Sequence, residues 1–199
     1  ILGGGTIGMF VMQWAKIFGA KEAVVFDIEP SRLELGKRLG ATAGINTLEP
    51  DFMEQAKAIT GGKGFDYVFE TAGNTITMKM AFKLAGNKAN VCFVGTPTRE
   101  LSFSVEEWEN MNRKEFTLTG SWMSYSAPFP GKEWELVAHY FKTGDLKSLS
   151  FLYYFDKGRS FRKRIMRTRI QPSESSAQCL HLQFLIFQEP LIHRCDFQF

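Results

Sequence analysis

Short runs rich in β-branched and aromatic residues alternate with amphipathic stretches through the first three-quarters of the chain. This alternation restricts the fold more than any other feature. Strands are expected at 22–27, 43–46, 65–70, 89–95 and 116–122, several of them almost continuously apolar. A strand with no polar alternation needs cover on both faces, the condition inside a parallel sheet flanked by helices. Helices are expected at 6–19, 30–39, 50–60, 75–85, 104–113 and 131–143. Their starts carry matching signals: Pro30 and Ser31 open the second, Asn74 can cap the fourth, and Ser104 with Glu107 makes a capping box for the fifth. Strand–helix alternation at this spacing gives right-handed βαβ units and an α/β, doubly wound parallel sheet.

The first loop of that sheet is glycine-rich. Residues 3–8 read GGGTIG, preceded only by Ile1 and Leu2, which look like the last stub of a truncated first strand. In a Gly-x-Gly-x-x-Gly turn each glycine has its own task. Gly3 permits the tight strand-to-helix turn, Gly5 lets a pyrophosphate approach the backbone without meeting a Cβ, and Gly8 lets the helix pack closely on the sheet. The helix opening at Thr6 and Ile7 points free N–H groups and a positive dipole end at the phosphates. The next strand ends in Asp27, 19 residues after Gly8. An acid there can accept both ribose hydroxyl hydrogen bonds of adenosine, and its charge repels a 2′-phosphate, so the pattern points to NAD rather than NADP. In isolation Asp27 would read as a solvated strand-end acid or a cap; loop, helix, strand and acid together make a Rossmann dinucleotide site. Arg32 is placed either to lie over the adenine or to serve as a solvated helix cation. An S-adenosylmethionine-dependent methyltransferase is the rival chemistry, and the third glycine favours the dinucleotide.

The totals exclude several classes. A net charge of +3 over 199 residues, with no basic stripe interleaved with aromatics before the tail, gives no footprint for nucleic acid. No stretch reaches the roughly 18 apolar residues of a membrane span. Cys92, Cys179 and Cys195 show no CxxC pairing, so free thiols in a cytoplasmic protein are expected rather than a zinc cage or disulfide framework. Cys92 falls in a core strand and His139 on a helix surface, so neither reads as catalytic or as a metal ligand.

A seam lies after Lys147. Residues 1–147 hold 17 of the 18 glycines, and their 12 Lys and 4 Arg stand against 17 acids; residues 148–199 hold 2 Lys, 6 Arg and 4 acids. The tail shows neither clean helical nor clean strand periodicity. It reads as a basic, partly disordered extension, as a short α+β cap, or as the product of a changed reading frame. The domain organisation is therefore a nucleotide-binding domain over 1–147 and an atypical tail over 148–199.

The motifs GGGTIG, WAKIFGAKEAVVFDIEPSRLELGKRLGA, GGKGFDYVFETAGN and VCFVGTPT resemble the cofactor-binding half of the zinc-dependent medium-chain alcohol and polyol dehydrogenases. RKEFTLTGSWMSYSAPFPGKEWE is similar to the galactitol-1-phosphate 5-dehydrogenase branch, close to sorbitol dehydrogenase. The resemblance runs from Ile1 to about Lys147. It implies a hydride transfer from a polyol or polyol phosphate to NAD. By position, Gly3, Gly5, Thr6, Ile7 and Gly8 would form the pyrophosphate turn, Asp27 the ribose ligand and Arg32 an adenosine-side cation. Thr71, Ala72 and Gly73 would line the cofactor cleft. Val94, Gly95 and Thr96, with Gly120, Ser121 and Trp122, would meet the nicotinamide. Strand 116–121 would be the edge through which such enzymes dimerise, and Tyr125 with Phe129 could cover the cleft. The family's zinc belongs to a preceding substrate domain. The chain is therefore expected to start inside a longer protein, to fold poorly alone, to bind NAD weakly and to oxidise nothing.

Overall fold

The apolar runs pair as a parallel sheet. In a computed structural model, which describes residues 1–122 and 131–147, the elements follow one another as α1 (Thr6–Ile17), β1 (Val24–Asp27), α2 (Pro30–Arg38), β2 (Ala43–Asn46), α3 (Phe52–Thr60), β3 (Phe65–Glu70), α4 (Thr75–Leu84), β4 (Ala85–Phe93), α5 (Val105–Lys114), β5 (Thr117–Gly120) and α6 (Lys132–Thr143). The chain divides into two compact units, Ile1–Trp122 and Met123–Phe199. Tyr125, Phe129, the two prolines beside them and the whole tail after Lys147 lie outside the described residues.

Within the first unit β1 pairs with β2, and β3, β4 and β5 pair in that order, all parallel. Leu2 joins the two groups, bridging Phe26 on one side and Glu70 on the other. Its N–H donates to the Phe69 carbonyl at 2.8 Å, and its own carbonyl accepts from Thr71 N–H at 2.9 Å. The spatial order is thus β2, β1, the Leu2 stub, β3, β4, β5. That is the doubly wound arrangement, with the stub at the point where strand order reverses.

Both faces are covered, as the continuous apolar strands require. Val24 and Phe26 enter a core with Ile45, Ala56, Val68, Phe82 and Val91, while Val25 between them and Met9 of α1 both lie beside Gly36 of α2, each 3.4 Å from where a Cβ would stand there. Phe82 stacks on Phe103 at 4.7 Å and meets Phe116 edge-on at 5.0 Å, offset and T-shaped geometries that suit ring quadrupoles. In one respect the strands differ from expectation. β4 begins at Ala85, directly after α4, rather than at residue 89. Phe65 pairs with Ala85 and Tyr67 with Asn90, so the segment between them bulges, with Lys88 at φ 60°. Two glycines make this close approach possible: a Cβ on Gly64 would stand 2.7 Å from the Gly86 backbone.

The helix starts follow local chemistry. Glu29 caps α2, its carboxylate accepting from Ser31 N–H, with Pro30 in the first helical position. Asn74 caps α4 through Ile76 N–H. Ser104 and Glu107 form the full reciprocal capping box of α5. The Ser104 N–H and the Lys79 ammonium both favour ionised Glu107 and hold its carboxyl below the ordinary value of 4.5. A depressed acid contributes stability that is present above its unfolded value and is lost as pH falls through the folded one. The thermal midpoint is therefore expected to fall more steeply below pH 4.5 in the native protein than in Glu107→Gln. Equal slopes would remove the capping carboxylate from this account.

In the second unit α6 is flanked by Gly131 as its N-cap and Gly144 as its C-cap, the latter in the left-handed conformation at φ 83°. His139 is exposed on it, and Cys92 is buried in β4. No helix among the described residues is long and apolar enough to cross a membrane.

Candidate functional site

A parallel sheet brings all its strand ends to one edge, and the register shows which residues meet there. Asp27 lies opposite Asn46, Leu2 opposite Phe26 and Glu70, Glu70 opposite Phe93, and Phe93 opposite Gly120. The residues that follow are the glycine turn, Thr71–Gly73, Val94–Thr96 and Gly120–Trp122. All the positions named from sequence as cofactor-binding within residues 1–122 thus belong to this carboxyl edge or to the first turns of α1 and α2. Such an edge, at the reversal of strand order, is where open α/β sheets accept ligands.

The three motif glycines differ in what surrounds them. Gly3 has φ +98°, with Thr71 and Ala72 at 3.0 Å from an added Cβ, as a tight turn requires. A Cβ on Gly8 would stand 1.8 Å from the Gly3 carbonyl oxygen, so helix and turn are in backbone contact. At Gly5 an added Cβ would meet nothing within 4 Å. Gly5 is the N-cap of α1 with no side-chain cap, and no acid lies in the first turn. The first-turn amides have no carbonyl one turn back to bond. The open space at Gly5 and these amides together fit an anionic group.

Asp27 is 7% exposed. Its Oδ2 accepts from the Gly4 N–H at 2.6 Å and from Arg32 Nη1 at 3.4 Å, and its Oδ1 accepts from Glu29 N–H at 2.9 Å. The acid is thereby tied to the glycine turn on one side and to α2 on the other. Arg32, read from sequence either as an adenosine-side cation or as a solvated helix cation, reaches Asp27 in this arrangement and keeps 42% of its side chain exposed.

The turns at the other end are held differently. Thr71 directs its hydroxyl back to the carbonyls of Leu2 and Gly3, at 2.9 and 3.0 Å. Gly73 has φ +65°, and a Cβ there would come within 2.6 Å of the Thr96 carbonyl oxygen, so the turns after β3 and β4 touch backbone to backbone. Ser121 N–H donates to the Phe93 carbonyl at 2.9 Å. Gly120 and Trp122 are exposed, Trp122 with 55% of its surface. Glu70 was not among the residues singled out from sequence, yet it is fully buried beneath these turns. Burial raises its pKa, against hydrogen bonds from Thr77, Ala72, Gly73 and Asn74 that favour the carboxylate. The signal was an acid closing the apolar run Tyr67–Phe69 just before a capped helix.

Among the described residues no group of three His, Cys, Asp or Glu could hold a metal ion. The zinc implied by the resemblance finds no donor set among them.

Architecture and edge together define a Rossmann-like α/β domain of the kind that supplies cofactor binding in alcohol dehydrogenases. The family described as zinc-binding dehydrogenase matches residues 6–139. The chain belongs to that family, the zinc-dependent medium-chain alcohol dehydrogenases, and is oxidoreductase-like in sequence. It is 36% identical over 138 residues to galactitol 1-phosphate 5-dehydrogenase of Escherichia coli K12, covering 69% of this chain and 40% of that protein. It is 39% identical over 99 residues to sorbitol dehydrogenase of Bacillus subtilis 168, covering 50% and 28%. The crystal structure of galactitol-1-phosphate dehydrogenase from Escherichia coli superposes with a TM-score of 0.69 at 34% identity, over 73% of this chain and 42% of that one. The chain thus spans well under half the length of these relatives.

Proposed function

We propose that residues 1–147 form the NAD-binding part of a dehydrogenase that moves a hydride between a polyol or polyol phosphate, of the galactitol 1-phosphate kind, and NAD. One observation carries the reading: Gly4 N–H donates to Asp27 Oδ2 at 2.6 Å, joining an open glycine turn to a buried strand-end acid. Gly5 and the first amides of α1 would receive the pyrophosphate, and Asp27 the adenosine ribose. Thr71–Gly73, Val94–Thr96 and Gly120–Trp122 would line the nicotinamide end. When bound, the nicotinamide supplies the hydride acceptor, and the chain's own residues bind and orient it. No described side chain is assigned a proton-transfer step. Likeness to the polyol dehydrogenases supports the substrate class. β5 ends the described strand order, and a second copy would pair there in the full-length enzyme.

The test is a fluorescence titration of the full chain with NADH, NADPH and S-adenosylmethionine. Tighter binding of NADH than of NADPH is expected, on the order of tenfold or more, since the Asp27 charge opposes a 2′-phosphate. Asp27→Ser is expected to reduce that preference to near parity by weakening NADH. Binding of S-adenosylmethionine without NADH would overturn the assignment in favour of a methyltransferase.

A further inference from the structure

Glu70 is the one acid among the described residues with no exposed surface, and the proposed function gives it no task. Its surroundings are unusual for a buried carboxylate, because none of the ion pairs found among the described residues includes it. Instead Oε1 accepts from Thr77 Oγ1 at 2.7 Å, Ala72 N–H at 2.9 Å and Gly73 N–H at 3.0 Å. Oε2 lies 3.3 Å from the same Gly73 nitrogen. The side chain thus gathers the turn after β3 and the first turn of α4, whose dipole favours negative charge. The main-chain carbonyl of Glu70 accepts from Val94 N–H at 2.8 Å and Gly95 N–H at 2.9 Å, so this residue also anchors the turn after β4. Gly95 leaves room for the carboxylate: a Cβ there would approach Oε2 to 2.6 Å.

We propose that Glu70 is a positioning residue for the nicotinamide end of the crevice. It touches no cofactor; it sets where the 71–73 and 94–96 turns stand, and so sets the cofactor half they would line. This inference rests on the NAD reading above. A carboxylate suits the role because both oxygens accept, whereas an amide turns one of them into a donor facing the Gly73 N–H. A merely structural Glu70 would affect the whole edge equally, including Asp27 and the glycine turn. A positioning Glu70 distinguishes the two ends.

The experiment compares NADH with ADP-ribose, which keeps the adenosine and pyrophosphate and lacks the nicotinamide. In full-length Glu70→Gln, NADH affinity is expected to fall on the order of tenfold while ADP-ribose affinity changes less than about twofold. Thr77→Val, which removes one donor and leaves the carboxylate, is expected to shift NADH in the same direction by about threefold. It carries the test if the Gln variant does not fold. Equal losses for both ligands, or unchanged NADH binding in both variants, overturn the proposal. If the native chain binds neither ligand, the NAD reading itself falls, and amide exchange then judges Glu70 alone. Exchange at Ala72 and Gly73 is expected to quicken in Thr77→Val or Glu70→Gln with that of Gly4 unchanged; no change at Ala72 and Gly73 overturns the positioning role.

Discussion

Gly8→Ala is expected to be severely destabilising, although it adds one methyl group to a helix. The new Cβ would stand 1.8 Å from the Gly3 carbonyl oxygen, 2.8 Å from Thr71 Oγ1 and 3.0 Å from the Gly3 carbonyl carbon. Two of those atoms are backbone, held by a turn that is itself pinned: Gly3 N–H donates to Phe26 and the Thr71 hydroxyl donates to both Leu2 and Gly3. The clash can be relieved only by moving α1 off the sheet. Overpacking of this kind costs about 3 kcal/mol, which for a domain of this size lowers the thermal midpoint by about 10 °C. The gain in helix propensity, about 1 kcal/mol, does not offset it. Thermal unfolding followed by circular dichroism measures the difference, with Gly5→Ala as the control. A Gly8→Ala protein as stable as the native one would mean that helix and turn are not in contact.

Gly5→Val is expected to do the reverse, leaving the fold in place and removing the nucleotide. Gly5 has φ −73° and ψ −175°, a conformation open to any residue, and an added Cβ meets nothing within 4 Å. The loss of a glycine N-cap costs a few tenths to about 1 kcal/mol. The branched side chain would occupy the space assigned to the pyrophosphate, and NADH affinity is expected to drop by about a hundredfold or more. NADH binding at native strength in a folded Gly5→Val protein would sink the phosphate-turn assignment. The two variants thus separate roles that one motif runs together: one glycine is required by the protein's own atoms, the other by atoms it would receive.

The close packing at Gly3 and Gly8 was legible in the spacing of GGGTIG, because the motif's geometry is local. The strands and helices were legible for a related reason. Val24, Val25 and Phe26 are buried on both faces, so they form an unbroken apolar run, and the caps at Asn74 and Ser104 mark helix starts within three residues of the groups they bond. What escaped was set by residues distant in sequence or by atoms that two turns share. The start of β4 depends on Gly64 meeting Gly86. Thr71 was named from sequence for the cleft, and the bond of its hydroxyl to Leu2, 69 positions away, was not legible there. Glu70 reads as a strand-end acid like Asp27. Only the convergence of Gly73, Thr77 and Gly95 around it makes it an anchor rather than a ligand. The bond that ties Asp27 to Gly4 was likewise not legible from position.

The Leu2 stub also bears on the order in which the sheet can assemble. Val24 pairs with Ala43, Phe65 with Ala85 and Asn90 with Thr117, so each group of strands forms by closing loops of about 20 to 30 residues. Joining the groups requires the Thr71 hydroxyl to reach Leu2 across a separation of 69 residues. The longer closure costs about 1 kcal/mol more in chain entropy. Its return includes, besides the hydrogen bonds around Leu2, the core that Val24, Phe26 and Ile45 share with Val68, Phe82 and Val91, and the edge-on contact of Phe26 with Phe65. The two half-sheets are therefore expected to open together as one cooperative unit, with the core they share forming late in folding, once the long closure at Leu2 is made.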